Sequence, residues 1–259
     1  MTPQDLIAAF DIPPGCRVDQ RVPKKLVVEN GAPTTCDKRT INEGIEELRW
    51  IAALKPNTIG VPEYRDDTRE YLEIALLSVT LRPEALTPAK SARLIELIHR
   101  AIPYPVLLVT SGRYANQTAL SLANKRHAQN EAGKVVLDTS VTEVILTTPS
   151  ATPNLDQAFT TALSLRRQSA TNLYALHQSW IDALHALQAA RLKGTFALAA
   201  NPAHAAAREA ALAELYRMEA ELTRLRNAAT RETQLARQVE LNLQVQHLQA
   251  RRAEAMRQL

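Results

Sequence analysis

Aromatic residues are only 4% of this chain of 259 residues, too few for rows of rings stacking successive bases. Glycines number seven, and neither a P-loop nor a GxSxG elbow occurs, which argues against nucleotide hydrolysis and against serine-hydrolase chemistry. Of the two cysteines, Cys16 and Cys36, neither has a second cysteine at zinc-ligand spacing. Their number suits reduced thiols in a cytosol. No HExxH is present, and none of His99, His127, His177, His185, His204 and His247 pairs with a cysteine at ligand distance. No catalytic residue, metal ligand or cofactor is therefore assigned. No window reaches the roughly 18 apolar residues of a membrane span. The opening "MTPQDLIAAFDIPPG" lacks the basic n-region of a signal peptide. The expectation is a cytoplasmic protein without membrane contact.

Apolar residues amount to 46%, enough for a core, while a net charge of +4 permits contact with nucleic acid without demanding it. The first fifteen residues read as a short helix. "VPKKLVVENGAP" reads as extended, and "CDKRTINEGIEELRWIAAL" as a helix with Asp37 as N-cap and Pro56 as its stop, since Ile41, Ile45, Leu48, Ile51 and Ala52 recur at three- and four-residue steps. The same spacing puts Trp50, like Trp180, in a core. "NTIGVP" reads as a strand. "EYLEIALLSVTLR" and "YPVLLVTSG" are buried strands joined through the helix "TPAKSARLIELIHRAI", which makes a βαβ unit. "ANQTALSLANKR" and "GKVVLDTSVTEVILTT" read as outer antiparallel strands. The fold class is thus α/β (α+β): a mixed-sheet domain over residues 1–150, a helical extension over 151–200 and a long C-terminal helix of coiled-coil type over 201–259.

Asn201-Pro202 has the form of an N-cap followed by proline at the first helical position, and no glycine or further proline follows. Unbroken, such a helix would extend on the order of 80 Å. Leu215, Met218, Leu222 and Leu225 step by three and four as a coiled-coil seam does, and the frame continues through Val239 and Leu243. A second face carries Leu241, Val245 and Leu248. Two apolar faces on one helix imply two partners: another helix, and either a further protein or the chain itself, folded back at "TRET". Homo-oligomers through this helix are one expectation.

"RETQLARQVELN", together with "VPKKLVVENGAP", "IEELRWIAALKPNTIGVP" and "AIPYPVLLV" in that order, resembles the bacterial domain-of-unknown-function family 4391. "LYALHQSWIDALHALQAAR" is similar to its longer proteobacterial branch. The resemblance covers almost the whole chain. It implies a setting beside SNF2-like or DEAD-like helicases and site-specific DNA methyltransferases, in clusters that look like restriction or phage-defence systems. It implies no catalytic residue. The functional expectation is a non-catalytic adaptor of such a complex, with helicase, methyltransferase or nuclease subunits as partners. A specificity or inhibitor subunit using the long helix as a ruler is a further reading.

The order of helix, strands, helix and strand also loosely resembles the core of restriction-type nucleases. Such a core needs an acidic residue, then a Glu-x-Lys triplet, around a divalent metal. Glu73 has the right setting, but Ile74 and Ala75 follow it and the lysine is missing; Glu47, Asp66 and Asp67 are the other carboxylates to consider. The cations Lys24, Lys25, Lys38, Arg39 and Arg49 are the candidate phosphate-facing patch, with Lys125-Arg126 and Arg166-Arg167 as lesser versions.

Overall fold

The computed structural model describes residues 1–113, 116–129 and 134–259, which form two compact units, Met1–Leu184 and His185–Leu259. The first opens with α1 (Pro3–Ala9), β1 (Arg17–Arg21), α2 (Lys24–Gly31) and α3 (Thr35–Gly44). Next come β2 (Ile45–Leu54), the single turn α4 (Pro56–Ile59), the short strands β3 (Tyr64–Arg65) and β4 (Glu70–Tyr71), and β5 (Ile74–Leu81). The helix α5 (Pro88–Ala101) leads to β6 (Val106–Ser111), β7 (Gln117–Leu122), β8 (Lys125–His127), β9 (Val135–Leu137) and β10 (Thr142–Thr147). Two helices follow, α6 (Pro153–Ala162) and α7 (Leu173–Lys193), and α7 runs across the division between the units.

The main sheet has the order β1-β2-β5-β6-β7-β10. Its only parallel pair among the described residues is β5 with β6, joined through α5, so the expected βαβ unit lies at its centre. Leu48, Ala75, Leu77, Val79 and Leu108 point to one face and pack with Val27 of α2, Ile41 of α3 and Leu94, Leu97 and Ile98 of α5. On the other face α1 packs against β6 and α6, and Phe10 meets Trp180 of α7 edge to face at 5.7 Å. Each fully buried residue of this size adds about 1.5–3 kcal/mol relative to solvent.

Four local expectations are corrected. The segment read as one helix from Cys36 to Leu54 is a helix up to Gly44 and a strand beyond it. Two register shifts in β2, between Ile45 and Glu47 and between Trp50 and Ala52, each insert an extra residue opposite β5. A bulge resets the two-residue alternation, so Ile45 and Leu48, three apart, both face the core and imitate helical spacing. The N-cap of α3 is Thr34, which accepts from the Asp37 amide at 3.1 Å; Asp37 sits in the first turn and takes the Arg93 guanidinium of α5 at 3.0 and 3.2 Å. "VPKKLVVENGAP" is the helix α2 rather than an extended segment. Gly31 permits its packing, since a Cβ there would lie 2.6 Å from the Leu97 carbonyl of α5. "NTIGVP" holds the α4 turn that Pro56 opens instead of a strand, closed by Gly60 at φ +70°.

The second unit holds the C-terminal end of α7, then α8 (Pro202–Arg231) and α9 (Leu235–Gln258). Asn201 caps α8 as the sequence suggests, accepting from the His204 amide at 2.8 Å. The helix does not continue to the end of the chain. Glu232 turns extended at ψ 131°, and its carboxylate accepts the amides of Thr233 and Gln234, both at 2.9 Å. Such side-chain-to-backbone bonds compete with helical ones. Thr230 adds to this by bonding back to the Arg226 carbonyl at 2.9 Å. The chain reverses over residues 232–234, which begin inside the "TRET" stretch and contain no glycine or proline, and α9 returns antiparallel along α8. The Arg252–Glu219 pair at 2.8 Å marks the register.

Candidate functional site

The two apolar faces of the C-terminal sequence answer each other. Leu222 and Leu225 of α8 pack against Leu241, Val245 and Leu248 of α9. Leu215 and Met218, higher on the same seam, are buried as well. Of the eight residues expected to contact a partner, seven are thus buried or half-buried within the unit, and Val239 remains at the surface. It is not alone: Leu235, Val239 and Leu243 are 74%, 51% and 60% exposed. Four-residue spacing aligns them along one face of α9. Gln238, Asn242 and Gln246, each three positions further on, border this row with uncharged amides.

The five cations of the expected patch do not form one continuous surface. Lys25 pairs with Glu29 at 3.6 Å, Arg39 with Glu43 at 2.8 Å and Arg49 with Glu47 at 3.5 Å. Lys38 is exposed on α3. Lys24 begins α2 and donates to the Asn42 carbonyl of α3 at 3.1 Å, which brings it within about a turn of Lys38 and Arg39. Partial burial, then the neighbouring charges of Arg82 and Arg21, lower the Lys24 pKa. Arg82 is an addition that no sequence spacing signals, since the sheet brings it to Lys24 from a distant point of the chain, whereas Arg21 lies three positions before Lys24. Lys125, one of the lesser candidates, is not a surface cation. It is buried, and its ammonium donates to the carbonyl oxygens of His99, at 2.6 Å, and of Ile102. Those groups end α5, where orphan carbonyls and the negative end of the helix dipole favour a cation. Arg166 pairs with Asp11 at 3.0 Å.

The carboxylates of the nuclease reading lie apart. Glu73 precedes β5 and pairs with Lys55 at 3.2 Å. Glu47 lies opposite Thr80, at the far end of β5. The rise along a strand puts them on the order of 20 Å apart, too far to share one ion. Asp66 accepts from Tyr64, Thr68 and Arg69 within its turn, and these bonds, that from Tyr64 first, hold its carboxyl far below the usual range. Among the described residues no group of three His, Cys, Asp or Glu side chains is placed to hold a metal.

A buried polar cluster surrounds Lys125. His99 Nε2 lies 3.0 Å from Ser121 Oγ, and Tyr71 accepts from the Lys125 amide at 3.1 Å. His177 packs edge to face on Tyr71 at 5.8 Å, and neither of its ring nitrogens makes a well-formed hydrogen bond. Burial, then the Lys125 charge, pushes His177 down to about 3, with the Val106 backbone a lesser influence the other way; the same two causes, in the same order, take His99 well below its ordinary range. Burial lowers Lys125 itself to about 7. In the second unit, burial and then the Arg208 charge take His185 down to about 4. All these groups are held inside the structure, so they serve the fold.

No helix among the described residues is long and apolar enough to cross a membrane. Comparison with curated proteins and with solved structures gives no match. A family model does match, over residues 10–251: with nearly its whole length covered, the chain belongs to the domain of unknown function family DUF4391.

Proposed function

We propose that this protein is a non-catalytic adaptor of a DNA-targeting, restriction-like defence complex, and that α9 is its docking element. The exposed row Leu235, Val239 and Leu243 carries this reading. A solvent-facing helix gains nothing from three large aliphatic groups in register, whereas an apolar stripe bordered by polar groups is the pattern of a helix-binding surface. Its amide border lacks the cations that a phosphate backbone requires. The occupant we assign is an amphipathic helix of the helicase or DNA methyltransferase encoded beside it, the setting that the family resemblance implies. Co-expression tests this. The tagged chain should retain that subunit, and Leu235→Asp, Val239→Asp and Leu243→Asp together should release it with unchanged helicity. Retention by the triple variant sinks the proposal.

A weak contact with duplex DNA that ignores sequence fits the same role, supported by the grouping of Lys24 with Arg21 and Arg82 and the nearness of Lys38 and Arg39. Replacing Lys24, Lys25, Lys38 and Arg39 with alanine should weaken binding to a labelled duplex. It should also flatten the dependence on salt by about one unit of log–log slope per lost contact. Equal slopes for both proteins would move the contact elsewhere.

A further inference from the structure

An open cleft of about 960 Å³ lies between α2, the C-terminal end of α5, β2 and β9. Its volume is at the upper end of the range for small-molecule sites. Trp50 and Tyr104 line it, both half-buried, edge to face at 6.3 Å. The indole is fixed, since Nε1 donates to the Ala52 carbonyl at 2.9 Å across the second β2 bulge. Trp50 packs against the core, as its spacing suggested, and the strand leaves part of its ring at the cleft. Leu26, Ile102 and Val136 give apolar walls.

Arg100, Arg126 and Lys134 supply positive charge around these rings. Arg126 is held in place: Nε meets Asp138 at 3.3 Å, Nη1 donates to the His127 carbonyl at 3.0 Å, and Asp138 is itself clamped by Arg69 at 2.6 Å. Two carboxylates also line the cleft. Glu29 pairs with Lys25, and Glu96 is divided between Arg93 at 2.9 Å and Arg100 at 3.4 Å. Three cations and two carboxylates are thus among the lining residues, with Asp138 behind Arg126. A rigid aromatic surface, apolar walls and these cations suit a planar ring that carries an anion.

We propose that this cleft binds a nucleobase together with its phosphate, stacked against Trp50 with the phosphate toward Arg100 and Lys134. A free nucleotide and a single-stranded nucleic acid share that chemistry. None of the residues lining the cleft belongs to α9 or to the set Lys24, Lys25, Lys38, Arg39 and Arg49.

The test is tryptophan fluorescence of the whole protein, titrated with adenosine monophosphate, with a short oligothymidylate and with inorganic phosphate. Trp180 is fully buried, so a change reports Trp50. At least one of the first two should quench, and phosphate alone should not. Quenching by the mononucleotide assigns free nucleotides; quenching by the oligomer alone assigns single strands. By calorimetry, Trp50→Leu should weaken binding by roughly ten- to a hundredfold. Arg100→Ala with Lys134→Ala, both exposed at the rim, should weaken it by about tenfold or more while circular dichroism shows the fold retained. Absence of quenching by both nucleotide probes at millimolar concentration overturns the proposal. So does binding that survives the rim changes, or that is lost only when Lys24 and Lys25 are replaced.

Discussion

Replacing Leu222 and Leu225 together with aspartate should melt the α8–α9 hairpin and leave the sheet unit folded. The two side chains are 1% and 4% exposed and meet Leu241, Val245 and Leu248 across the hairpin. Truncating one buried leucine costs about 2–5 kcal/mol, and a carboxylate at the same place adds the penalty of a buried, unpaired charge. The hairpin has little to set against that. Its cross-helix ion pairs, Arg252–Glu219 and Arg251–Glu214, are largely solvent-exposed, and such pairs contribute about 0–1 kcal/mol each. Circular dichroism should show a loss of helix, and limited proteolysis should cut within α8 and α9 while sparing the sheet. A double variant with undiminished helicity would mean that the seam is not what holds the two helices together.

The second large effect is acid lability of the sheet unit. His177 is taken down to about 3 by burial first and by the Lys125 charge second, and His99 is also lowered for those reasons. Unfolded histidine titrates near 6.5. Between those limits the unfolded chain binds protons that the folded chain refuses, so stability falls as pH drops below about 6.5. Each such group removes about 1.4 kcal/mol per pH unit. Lys125 acts at the other end of the scale. Its pKa is about 7 when folded against 10.5 ordinarily. Its contribution is therefore least favourable below about 7 and improves as pH rises toward 10.5. Urea unfolding from pH 4 to pH 9 should show both limbs, and His177→Phe should remove about one proton's worth of slope from the acid limb. An unchanged slope in that variant would show that His177 is not kept neutral by the fold.

How much of this was legible depended on whether local pattern and tertiary role agreed. The strands around Leu77 and Leu108 and the α5 crossover were readable because a centrally buried strand and an amphipathic helix each leave an unambiguous trace. Ile45–Leu54 misled, because two bulges convert a period of two into steps of three. α2 misled because its helix depends on the close approach of Gly31 to α5, a fact of packing rather than of propensity. The turn at Glu232 carries no breaker residue; its signal is a carboxylate placed to bond the next two amides. Both faces of the terminal sequence were visible, and a fold-back at "TRET" was one of the readings they left open; the pairing of Leu222 and Leu225 with Leu241, Val245 and Leu248 was not. The cleft around Trp50 could not be read at all, since its walls come from α2, β2, α5 and β9.

The central claim is that α9 divides its apolar residues between its own hairpin and another protein. Photo-crosslinking residues introduced singly at positions 239 and 245, in the chain co-expressed with the helicase or methyltransferase subunit proposed above as its partner, test it most directly. Val245 is 9% exposed and faces α8, so a crosslinker there should join α9 to α8 of the same chain; Val239 is 51% exposed, so one there should capture the partner subunit. Capture of the partner from position 245, or of nothing beyond its own chain from position 239, would contradict the account.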